Sequence, residues 1–522
     1  MNGTEKKSSP RAFISPSSLV RLEGDAAFTG DGERLSEAEA PALSDRDFDQ
    51  AMERLGPFKA TDVFAVALSG GADSLLLALQ MARWCSSRDL AFHTVTVDHT
   101  LRPDSGLEAL WCNWQMGRRG IAHDSLIWKR NETGQQKKVT QSEARKARYA
   151  LLDHWCQRQG VTHLCTGHHR DDQLETVLMR REKKSGPFGL AGMSMVVERP
   201  FGLLIRPLLG VPKAGLTRRL RDEEQPWLED PSNSRTDYLR SRIRTVLGDM
   251  SPEECEQLCE TTRALGQRRH DLERAANHYL LEHARVSPQG FVELGLEAGW
   301  LDEPENRDVL ALAIRRSLQL LSDVEHLPDL KSCLDLLQPL QELAGNNQTA
   351  AGRSKPHFRQ NLAGCIVQSR GRRALQILRE NRGLPVVGLE AGEQRAPGQP
   401  VRWDARYDLC YNCELLLRWL QDSGVIADGN AKLSVERTAL NAVRDATGKQ
   451  FGQTVCQTLP ALYVDGRCLA VALEAVVSEY EGVEYPVLPL FCAQNASIVP
   501  FEALMVRWKP KKSVIEHPFT VA

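Results

Sequence analysis

Six consecutive residues have the composition of a phosphate-binding turn. They lie between apolar runs at 63–68 and 75–79, and they are Ser69, Gly70, Gly71, Ala72, Asp73 and Ser74. Adjacent glycines let a backbone turn tightly and approach a ligand closely, and the open N–H groups at the start of a helix favour an anion. The serine hydroxyls add donors, and the Asp73 carboxylate suits a magnesium ion held through a phosphate or a water. The segment therefore predicts a polyphosphate site between a buried strand and a helix.

The order of these residues excludes two common nucleotide-binding motifs. No Gly-Lys pair followed by Ser or Thr stands at the turn, so the segment is not a Walker A loop. The two glycines are adjacent, so it is not the dinucleotide-binding fingerprint either.

A second polar segment begins with Asp98 and His99, directly after a predicted strand over residues 91–97. Asp98 at a strand end beside the phosphate loop suits a magnesium ion or a ribose, and Arg102 suits a phosphate. The alternative is an N-cap Asp and a solvated Arg, which this segment alone would favour.

The third polar segment, residues 166–176, is denser in side chains that bind cations. It contains His168, His169, Asp171, Asp172 and Glu175. Adjacent histidines cannot both face one metal ion, which makes zinc the weaker option, and an Asp here also suits the cap of the next helix. Asp172 and Glu175 are three residues apart, so a helix places both carboxylates on one face. Two carboxylates there suit a magnesium ion or an ammonium group.

Basic residues cluster in the same part of the chain. On a predicted helix over residues 142–158, Arg145 and Arg148 share a face and point two guanidinium groups one way, although a solvated charged face is the alternative. Two further clusters fit either an RNA backbone or plain surface, namely Arg180, Arg181, Lys183 and Lys184, and then Arg240, Arg242 and Arg244.

The elements that must position these segments alternate between strand and helix from residue 61 to about residue 209. This alternation predicts an α/β fold with a mostly parallel sheet that is covered on both faces. Ligands bind beyond the carboxyl ends of such strands, so the three polar segments should meet around one crevice. The predicted strands are residues 63–68, 91–97, 123–128 and 161–165.

The remaining sequence divides into parts of different pattern. We expect a flexible extension over residues 1–45 because it is rich in Ser, Glu, Asp, Gly and Pro. The catalytic α/β domain should span residues 46–212, followed by a helical domain over 213–345. A polar linker should then lead to a smaller α+β or β-rich domain over 357–522, where short β-like runs recur between turn residues.

Composition narrows the class of protein. The chain has 522 residues and a net charge of −2, so any nucleic-acid surface must be a local patch. No apolar segment approaches the length of a membrane span, and the N-terminus is too polar for a secretory signal. The 13 scattered cysteines then indicate reduced thiols in a cytoplasmic protein. Cys410 and Cys413 have metal-ligand spacing, but a lone pair supplies only half a zinc or iron–sulfur site.

Taken together, these segments resemble the N-type ATP pyrophosphatase superfamily and, within it, the lysidine synthetases that act on isoleucine tRNA. Residues 69–74 match the loop of the superfamily. The resemblance to enzymes that modify tRNA rests on residues 97–102, 144–149 and 166–176. The narrower resemblance to the lysidine synthetases rests on residues 189–193, 206–209 and 230–233.

The resemblance implies a two-step reaction that uses ATP and Mg²⁺. ATP activates the C2 oxygen of the wobble cytidine in the CAU anticodon of tRNA(Ile) as an adenylate and releases pyrophosphate. The ε-amine of lysine then attacks C2 and expels AMP, which forms lysidine. The family often forms dimers, so a homodimer is a further expectation.

The resemblance also implies roles for individual residues. The loop 69–74 with Asp98, His99 and Arg206 should bind ATP, and Asp73 should hold the metal ion. Arg145 and Arg206 should clamp the phosphates. Asp172 and Glu175 should recognise the lysine ammonium.

Three other functions fit parts of this pattern. A tRNA 2-thiocytidine synthetase shares the phosphate loop and the Asp-Asp-Gln stretch, but it carries cluster-binding cysteines near the catalytic domain. A ligase of the same superfamily that acts on a free metabolite would need no tRNA surface. A non-enzymatic RNA-binding protein would need no intact phosphate loop, whereas this loop is intact.

Overall fold

The structure, a computed structural model, describes residues 41–100, 105–128, 140–228 and most of 238–521. Most of the predicted extension, nearly all of the predicted linker, Arg102 and the segment 230–233 lie outside the described residues. In the last range the positions not described are 298, 323, 325, 346–357, 371–372, 391–392, 396–399, 405, 424, 426, 428–430, 438–458, 466, 473–475, 481–482, 489, 493–496, 500–502 and 510–519.

The described chain forms two compact units, residues 41–271 with 520–521, and residues 272–509. The first unit is built on one six-stranded sheet. Its strands are β1 (Val63–Ala67), β2 (Ala91–Asp98), β3 (Ala122–Ile127), β4 (His163–Cys165), β5 (Val196–Arg199) and β6 (Gly202–Ile205). The strand order is β3-β2-β1-β4-β6-β5, and every pairing is parallel except that of β5 with β6. This confirms the predicted α/β fold with a mostly parallel sheet.

Helices connect these strands and continue beyond them. They are α1 (Asp45–Leu55), α2 (Ala72–Ser86), α3 (Ser105–Gly117), α4 (Gln141–Gln159), α5 (Arg170–Glu182), α6 (Pro187–Leu190), α7 (Lys213–Asp222), α8 (Tyr238–Asp249) and α9 (Pro252–His283).

The central strand divides its side chains between two hydrophobic cores. Phe64 and Val66 of β1 pack in a cluster with α2, whereas Ala65 and Ala67 pack in a separate cluster with Leu152 of α4. Successive side chains of a strand point to opposite faces, so this division requires helices on both sides of the sheet. The prediction of a sheet covered on both faces is therefore confirmed. Helix α2 is the more deeply set, since 11 of its 15 residues are buried.

The limits of α4 follow from its end residues. Thr140 Oγ1 accepts a hydrogen bond from the Glu143 backbone N–H at 3.2 Å, and Glu143 Oε2 accepts one from the Thr140 N–H at 2.9 Å. This reciprocal pair satisfies N–H groups that the first turn of a helix leaves open. The helix ends at Gly160, which takes the left-handed conformation with φ 66°.

Two hairpins depart from the predicted pattern. In the first unit, β5 and β6 form an antiparallel edge that the strand-helix alternation does not indicate. In the stretch predicted to be helical, β7 (Ala284–Ser287) and β8 (Phe291–Gly295) form a hairpin with Gly290 at φ 83°. No residue of β7 is buried, so its sequence lacks the apolar alternation that identifies a strand.

The second unit is rich in antiparallel sheet, as predicted for the C-terminal part of the chain. Three sheets have the orders β7-β8-β11-β10-β9, β12-β16-β17-β18-β21-β22 and β13-β15-β23-β20-β19, and β14 pairs with β15. The strands that complete them are β9 (Arg359–Leu362), β10 (Cys365–Ser369), β11 (Ala374–Arg379), β12 (Val387–Leu389), β13 (Gln394–Arg395), β14 (Val401–Arg402), β15 (Tyr407–Asn412), β16 (Leu433–Arg437), β17 (Pro460–Val464), β18 (Arg467–Ala472), β19 (Val476–Tyr480), β20 (Val483–Leu488), β21 (Leu490–Cys492), β22 (Ser497–Ile498) and β23 (Leu504–Trp508). Its helices are α10 (Pro304–Leu321), α11 (Leu330–Gly345) and α12 (Cys413–Asp422).

The cysteine pair with metal-ligand spacing lies in this second unit. Cys410 is on β15 and Cys413 begins α12, and both thiols are buried and free. Burial raises the pKa of each to about 11. No group of three or more potential metal ligands occurs among the described residues. No described helix is long and apolar enough to cross a membrane.

Candidate active site

The predicted phosphate loop joins β1 to α2. Gly70 has φ 83°, and a Cβ atom there would lie 2.7 Å from Leu228 Cδ1, so only glycine fits. Gly71 is the N-cap of α2 and no side chain caps the helix. The first N–H groups of α2 are therefore available to an anion, with the helix dipole favouring negative charge.

Ser74 builds this loop from within. Its hydroxyl donates to the Gly71 carbonyl at 3.1 Å and accepts from the Ser69 N–H at 3.1 Å. The hydroxyls of Ser69 and Ser74 are 3.0 Å apart. The Ser74 hydroxyl is thus hydrogen-bonded within the turn, and the role of both hydroxyls as donors to phosphate stays a prediction.

Gly167 brings the third polar segment against the phosphate loop. A Cβ atom at Gly167 would lie 2.9 Å from the Ser74 nitrogen and 3.0 Å from the Asp73 carbonyl carbon. A larger residue would push the segment away from the start of α2. The crevice predicted from the strand ends therefore depends on this close backbone contact.

His169 joins two of the predicted site carboxylates. Its Nε2 lies 3.5 Å from Asp73 Oδ2 and 3.5 Å from Asp172 Oδ2, and the side chain is buried. Burial disfavours the imidazolium, but the hydrogen bond to Asp73 and the charges of both carboxylates outweigh it and raise the pKa of His169. Burial likewise acts to raise the pKa of Asp73, but the hydrogen bond with His169 prevails and lowers it. Asp73 is thus held ionised at the loop.

Asp172 behaves differently from Asp73. Burial and the neighbouring charges of Asp73 and Glu175 raise the pKa of Asp172, although His169 acts in the opposite direction. The Asp172 carboxylate also accepts the His169 backbone N–H at 3.1 Å, which caps α5. Asp172 can therefore serve both as the cap of α5 and as a carboxylate of the site. The influence of Glu175 on Asp172 is consistent with both lying on one face of α5.

The Asp73 carboxylate fits a magnesium ion. Its Oδ1 is buried and has no hydrogen-bond partner among the described residues. Mg²⁺ is commonly held by one or two protein carboxylates together with substrate phosphates, so a three-ligand protein cluster is not needed. Lys213 adds a positive charge that acts on Asp73.

A group of arginines faces the histidines of the third segment. Arg145 and Arg148 lie on α4, and Arg206 directly follows β6. In the described part of the chain, none of these three side chains has a carboxylate within salt-bridge distance. Arg206 is buried, its Nη1 donates to the Ser194 carbonyl at 2.5 Å, and its Nε has no partner among the described residues. Unneutralised guanidinium groups of this kind suit a polyphosphate.

The positive charge of these arginines affects the pKa of His168. Burial and the charges of Arg206, Arg145 and Arg148 lower its pKa to about 3. Thr166 Oγ1 lies 3.0 Å from His168 Nδ1. His168 is thus neutral at physiological pH and adds no charge to the arginine group.

We expect His168 to make the chain less stable as pH falls. The unfolded chain takes up a proton at the ordinary histidine value of about 6.5, whereas the folded chain does so only near 3, so stability is lost between these values. At about pH 5 the loss is at most about 2 kcal/mol. His168→Gln should therefore show a smaller drop in unfolding temperature between about pH 7.5 and pH 5 than the parent. The exposed His154 on α4 supplies the control His154→Gln, and an equal drop in the parent and His168→Gln would contradict the assignment.

The second polar segment lies beside the same arginines. Asp98 Oδ1 accepts the Thr100 N–H at 2.8 Å, which fixes the turn after β2. His99 Nδ1 is buried with no partner among the described residues. Burial and the charge of Arg148 lower the pKa of His99. His99 therefore lies within reach of the arginine group, and Asp98 has a turn-forming contact besides any role with ATP.

The predicted nucleic-acid residues fall into four groups, of which the ion-paired residues of α8 are described last. Arg181, Lys183 and Lys184 are exposed, as an RNA contact requires. Arg180 is partly buried, and its Nη1 donates to the Gly189 and Gly192 carbonyls at 2.8 Å and 2.7 Å, which is a structural use of that side chain. The side chain of Arg240 lies outside the described residues.

Two residues of α8 pair with carboxylates of α5. Arg244 Nε lies 2.7 Å from Glu175 Oε1, and Arg242 forms an ion pair with Glu182. A predicted RNA-binding arginine thus contacts a predicted lysine-binding carboxylate. The prediction treated these two residues as parts of separate surfaces.

Several contacts of this site carry no signal in the sequence. The contact of Gly167 with α2 and the link from His169 to Asp73 join positions nearly 100 residues apart, as the numbering shows. Tyr149 contacts both Arg145 and Arg199, whose guanidinium carbons are 5.1 Å and 4.9 Å from its ring centre. Only the presence of Gly167 within a histidine-rich segment could have suggested a close backbone approach.

Comparison with known proteins bears on this geometry. The sequence profile of the PP-loop domain family matches residues 43–250. A tRNA(Ile)-lysidine synthase of Rhodopseudomonas palustris is 34% identical over 63% of this chain and 94% of its own length. One from Bradyrhizobium diazoefficiens is 32% identical over 62% of this chain and 92% of its own. One from a Wolbachia of Brugia malayi is 27% identical over 78% of this chain and 87% of its own.

Proposed function

This chain belongs to the tRNA(Ile)-lysidine synthase family, and we propose that the crevice at the carboxyl ends of β1, β2 and β4 carries out both steps of lysidine formation. In the first step ATP activates the C2 oxygen of the wobble cytidine in a CAU anticodon. In the second step the ε-amine of lysine replaces AMP. The observation that carries this proposal is the pairing of an uncapped helix start with unneutralised arginines across one crevice.

We infer that the triphosphate of ATP would bind between these two groups. The open N–H groups of α2 and the loop 69–74 supply donors on one side, and Arg206 supplies a buried guanidinium on the other. Arg145 is exposed, so it can reach a phosphate at the edge of the crevice. Preorganised donors of this kind stabilise the charge that develops as pyrophosphate leaves.

Asp73 would hold a magnesium ion, because it is ionised and its Oδ1 has no protein partner among the described residues. The ion, when bound, supplies charge neutralisation to the polyphosphate. His169 keeps the Asp73 carboxylate oriented and ionised through its Nε2. We infer that His169 acts through Asp73 and does not itself contact ATP.

Asp172 and Glu175 would receive lysine. An ammonium group needs carboxylates to leave water, and its amine must lose a proton before it attacks a carbon. The pKa of Asp172 is raised by burial and by its acidic neighbours, which makes it a better proton acceptor than an ordinary Asp. Glu175 would then keep the ammonium end in place.

The exposed basic residues at the end of α5, which are Arg181, Lys183 and Lys184, would contact the tRNA backbone. The wobble base has to leave its stack to reach the crevice, which single-stranded anticodon loops permit. A homodimer and a cytoplasmic location are parts of the same proposal and stand on the family resemblance.

Mass spectrometry of a modified tRNA tests this function. A CAU-anticodon tRNA(Ile) transcript is incubated with the protein, ATP, magnesium and lysine, and the wobble nucleoside is then analysed. We expect the mass of cytidine plus lysine less one water. An adenylated tRNA should accumulate when lysine is omitted, and a transcript without a wobble cytidine should remain unchanged.

The same incubation separates the competing functions when the release of pyrophosphate from ATP is measured beside the nucleoside mass. A 2-thiocytidine synthetase would exchange oxygen for sulfur at C2, and a ligase for free metabolites would release pyrophosphate at the same rate without tRNA. An RNA-binding protein would leave ATP intact. Any of these three results would overturn the proposed function.

A further inference from the structure

Arg244 forms an ion pair with Glu175, the carboxylate that the proposed function assigns to the substrate lysine. Its Nε lies 2.7 Å from Glu175 Oε1, and the Glu175 side chain is only 16% exposed. The proposed function assigns Glu175 to the ammonium of lysine. A guanidinium and an ammonium compete for the same oxygen atoms, since both are cationic donors to carboxylate.

We propose that Arg244 is an internal competitor of lysine that is released by tRNA. This inference rests on the proposed function, and it gives α8 a role in the order of binding. While Arg244 is paired with Glu175, the lysine site is incomplete. When Arg244 moves to a phosphate of the tRNA backbone, Glu175 becomes available to lysine.

The packing of α8 supports a pair that can open. Ile243 is buried and anchors α8 by packing. The neighbouring Arg242 and Arg244 are exposed at their charged ends. Two Arg–Glu pairs therefore connect α8 to α5, from Arg244 to Glu175 and from Arg242 to Glu182. Ion pairs whose arginine end is exposed contribute only a modest net free energy, so a polyanion can bind the arginines in place of the carboxylates without unfolding either helix.

The chemistry of the reaction gives this arrangement a purpose. If lysine bound before the cytidine was adenylated, its amine would lie beside the phosphates of ATP. The nucleotide would then be the only electrophile that the amine could attack. Because Glu175 becomes available to lysine only when tRNA is bound, this side reaction is prevented. The free energy of the ion pair sets how strongly lysine is disfavoured in the absence of tRNA.

Direct binding of free lysine to the tRNA-free protein tests the inference. We expect Arg244→Gln to bind lysine about five- to tenfold more tightly than the parent in calorimetric titration, because the competing cation is gone. The matched control is Arg242→Gln, which removes an arginine of the same helix whose partner Glu182 is not assigned to lysine. The control should bind lysine as the parent does, and both variants should bind tRNA more weakly.

The outcomes are separable from those of the proposed function. Equal lysine affinity in Arg244→Gln and the parent, with Glu175→Gln still abolishing lysine binding, would overturn the competitor role and leave the proposed function intact. Unchanged lysine binding in Glu175→Gln would overturn the lysine site itself. Unfolding temperatures of all variants are measured alongside, and Glu182→Gln replaces Arg242→Gln as the control if that variant is unstable.

Discussion

Asp73→Asn should lower the rate of tRNA-dependent pyrophosphate release by about 100- to 1,000-fold, with little change in unfolding temperature. The amide has nearly the shape of the carboxylate but lacks its charge. Asp73 stands at the start of α2 with one oxygen free of protein partners among the described residues, so the loss of its charge would weaken the binding of a metal ion and of the phosphates. Release of pyrophosphate from ATP is measured at saturating tRNA.

A second readout of the same variant reports on His169. The hydrogen bond from His169 to Asp73 is the largest influence that raises the histidine pKa, so that pKa should fall when the carboxylate becomes an amide. The matched control is Asp62→Asn, which alters a carboxylate near the opposite end of β1 that accepts the Lys59 N–H at 2.7 Å. The control should retain pyrophosphate release. An Asp73→Asn protein that is folded and as active as the control would remove Asp73 from the metal site.

Arg206→Gln should reduce kcat/KM for ATP by about 100-fold or more, and it should leave the ligand-free protein as stable as the parent or slightly more stable. The reason for the second effect is electrostatic. Arg206 is buried, and burial and the charge of Arg145 lower its pKa, which shows that its charged form is disfavoured in the free protein. Adenylation kinetics and thermal unfolding without ATP measure the two effects.

Arg206→Lys should behave almost like the Gln variant, because an ammonium cannot reproduce the planar set of guanidinium donors. The matched control is Arg199→Gln. Arg199 contacts the same Tyr149 ring but forms a two-point ion pair with Asp153, at 3.0 Å and 2.5 Å. Its loss should lower stability and leave kcat/KM for ATP near the parent value. A destabilised Arg206→Gln protein with normal ATP kinetics would show that Arg206 has only a structural role.

The crevice could be predicted from sequence because it depends on local order along the chain. Buried strands are recognisable as apolar runs, and in a parallel sheet the segments that follow them meet at one edge. This rule alone brings together the loop 69–74, the turn at Asp98 and the segment 166–176. The spacing of Asp172 and Glu175 similarly fixed their common helix face.

Contacts between distant segments could not be predicted in the same way. Nothing near Ser74 in the sequence shows that its hydroxyl bonds within the turn to the Ser69 N–H and the Gly71 carbonyl. The pairing of Arg244 with Glu175 depends on how α8 packs on α5, and charge alone allows many partners for an exposed arginine. The β7–β8 hairpin was missed for a related reason, since pairing with β11 supplies order that the exposed residues of β7 do not encode.

The burial of α2 has an entropic consequence for ATP. A loop on a mobile surface loses conformational freedom when it closes on a ligand, and that loss weakens binding. Here the donors extend from a helix of which 11 of 15 residues are buried, and the backbone of Gly167 presses against its first turn. Folding has already ordered the groups that receive the phosphates. Little of the free energy of ATP binding is therefore lost in ordering the loop.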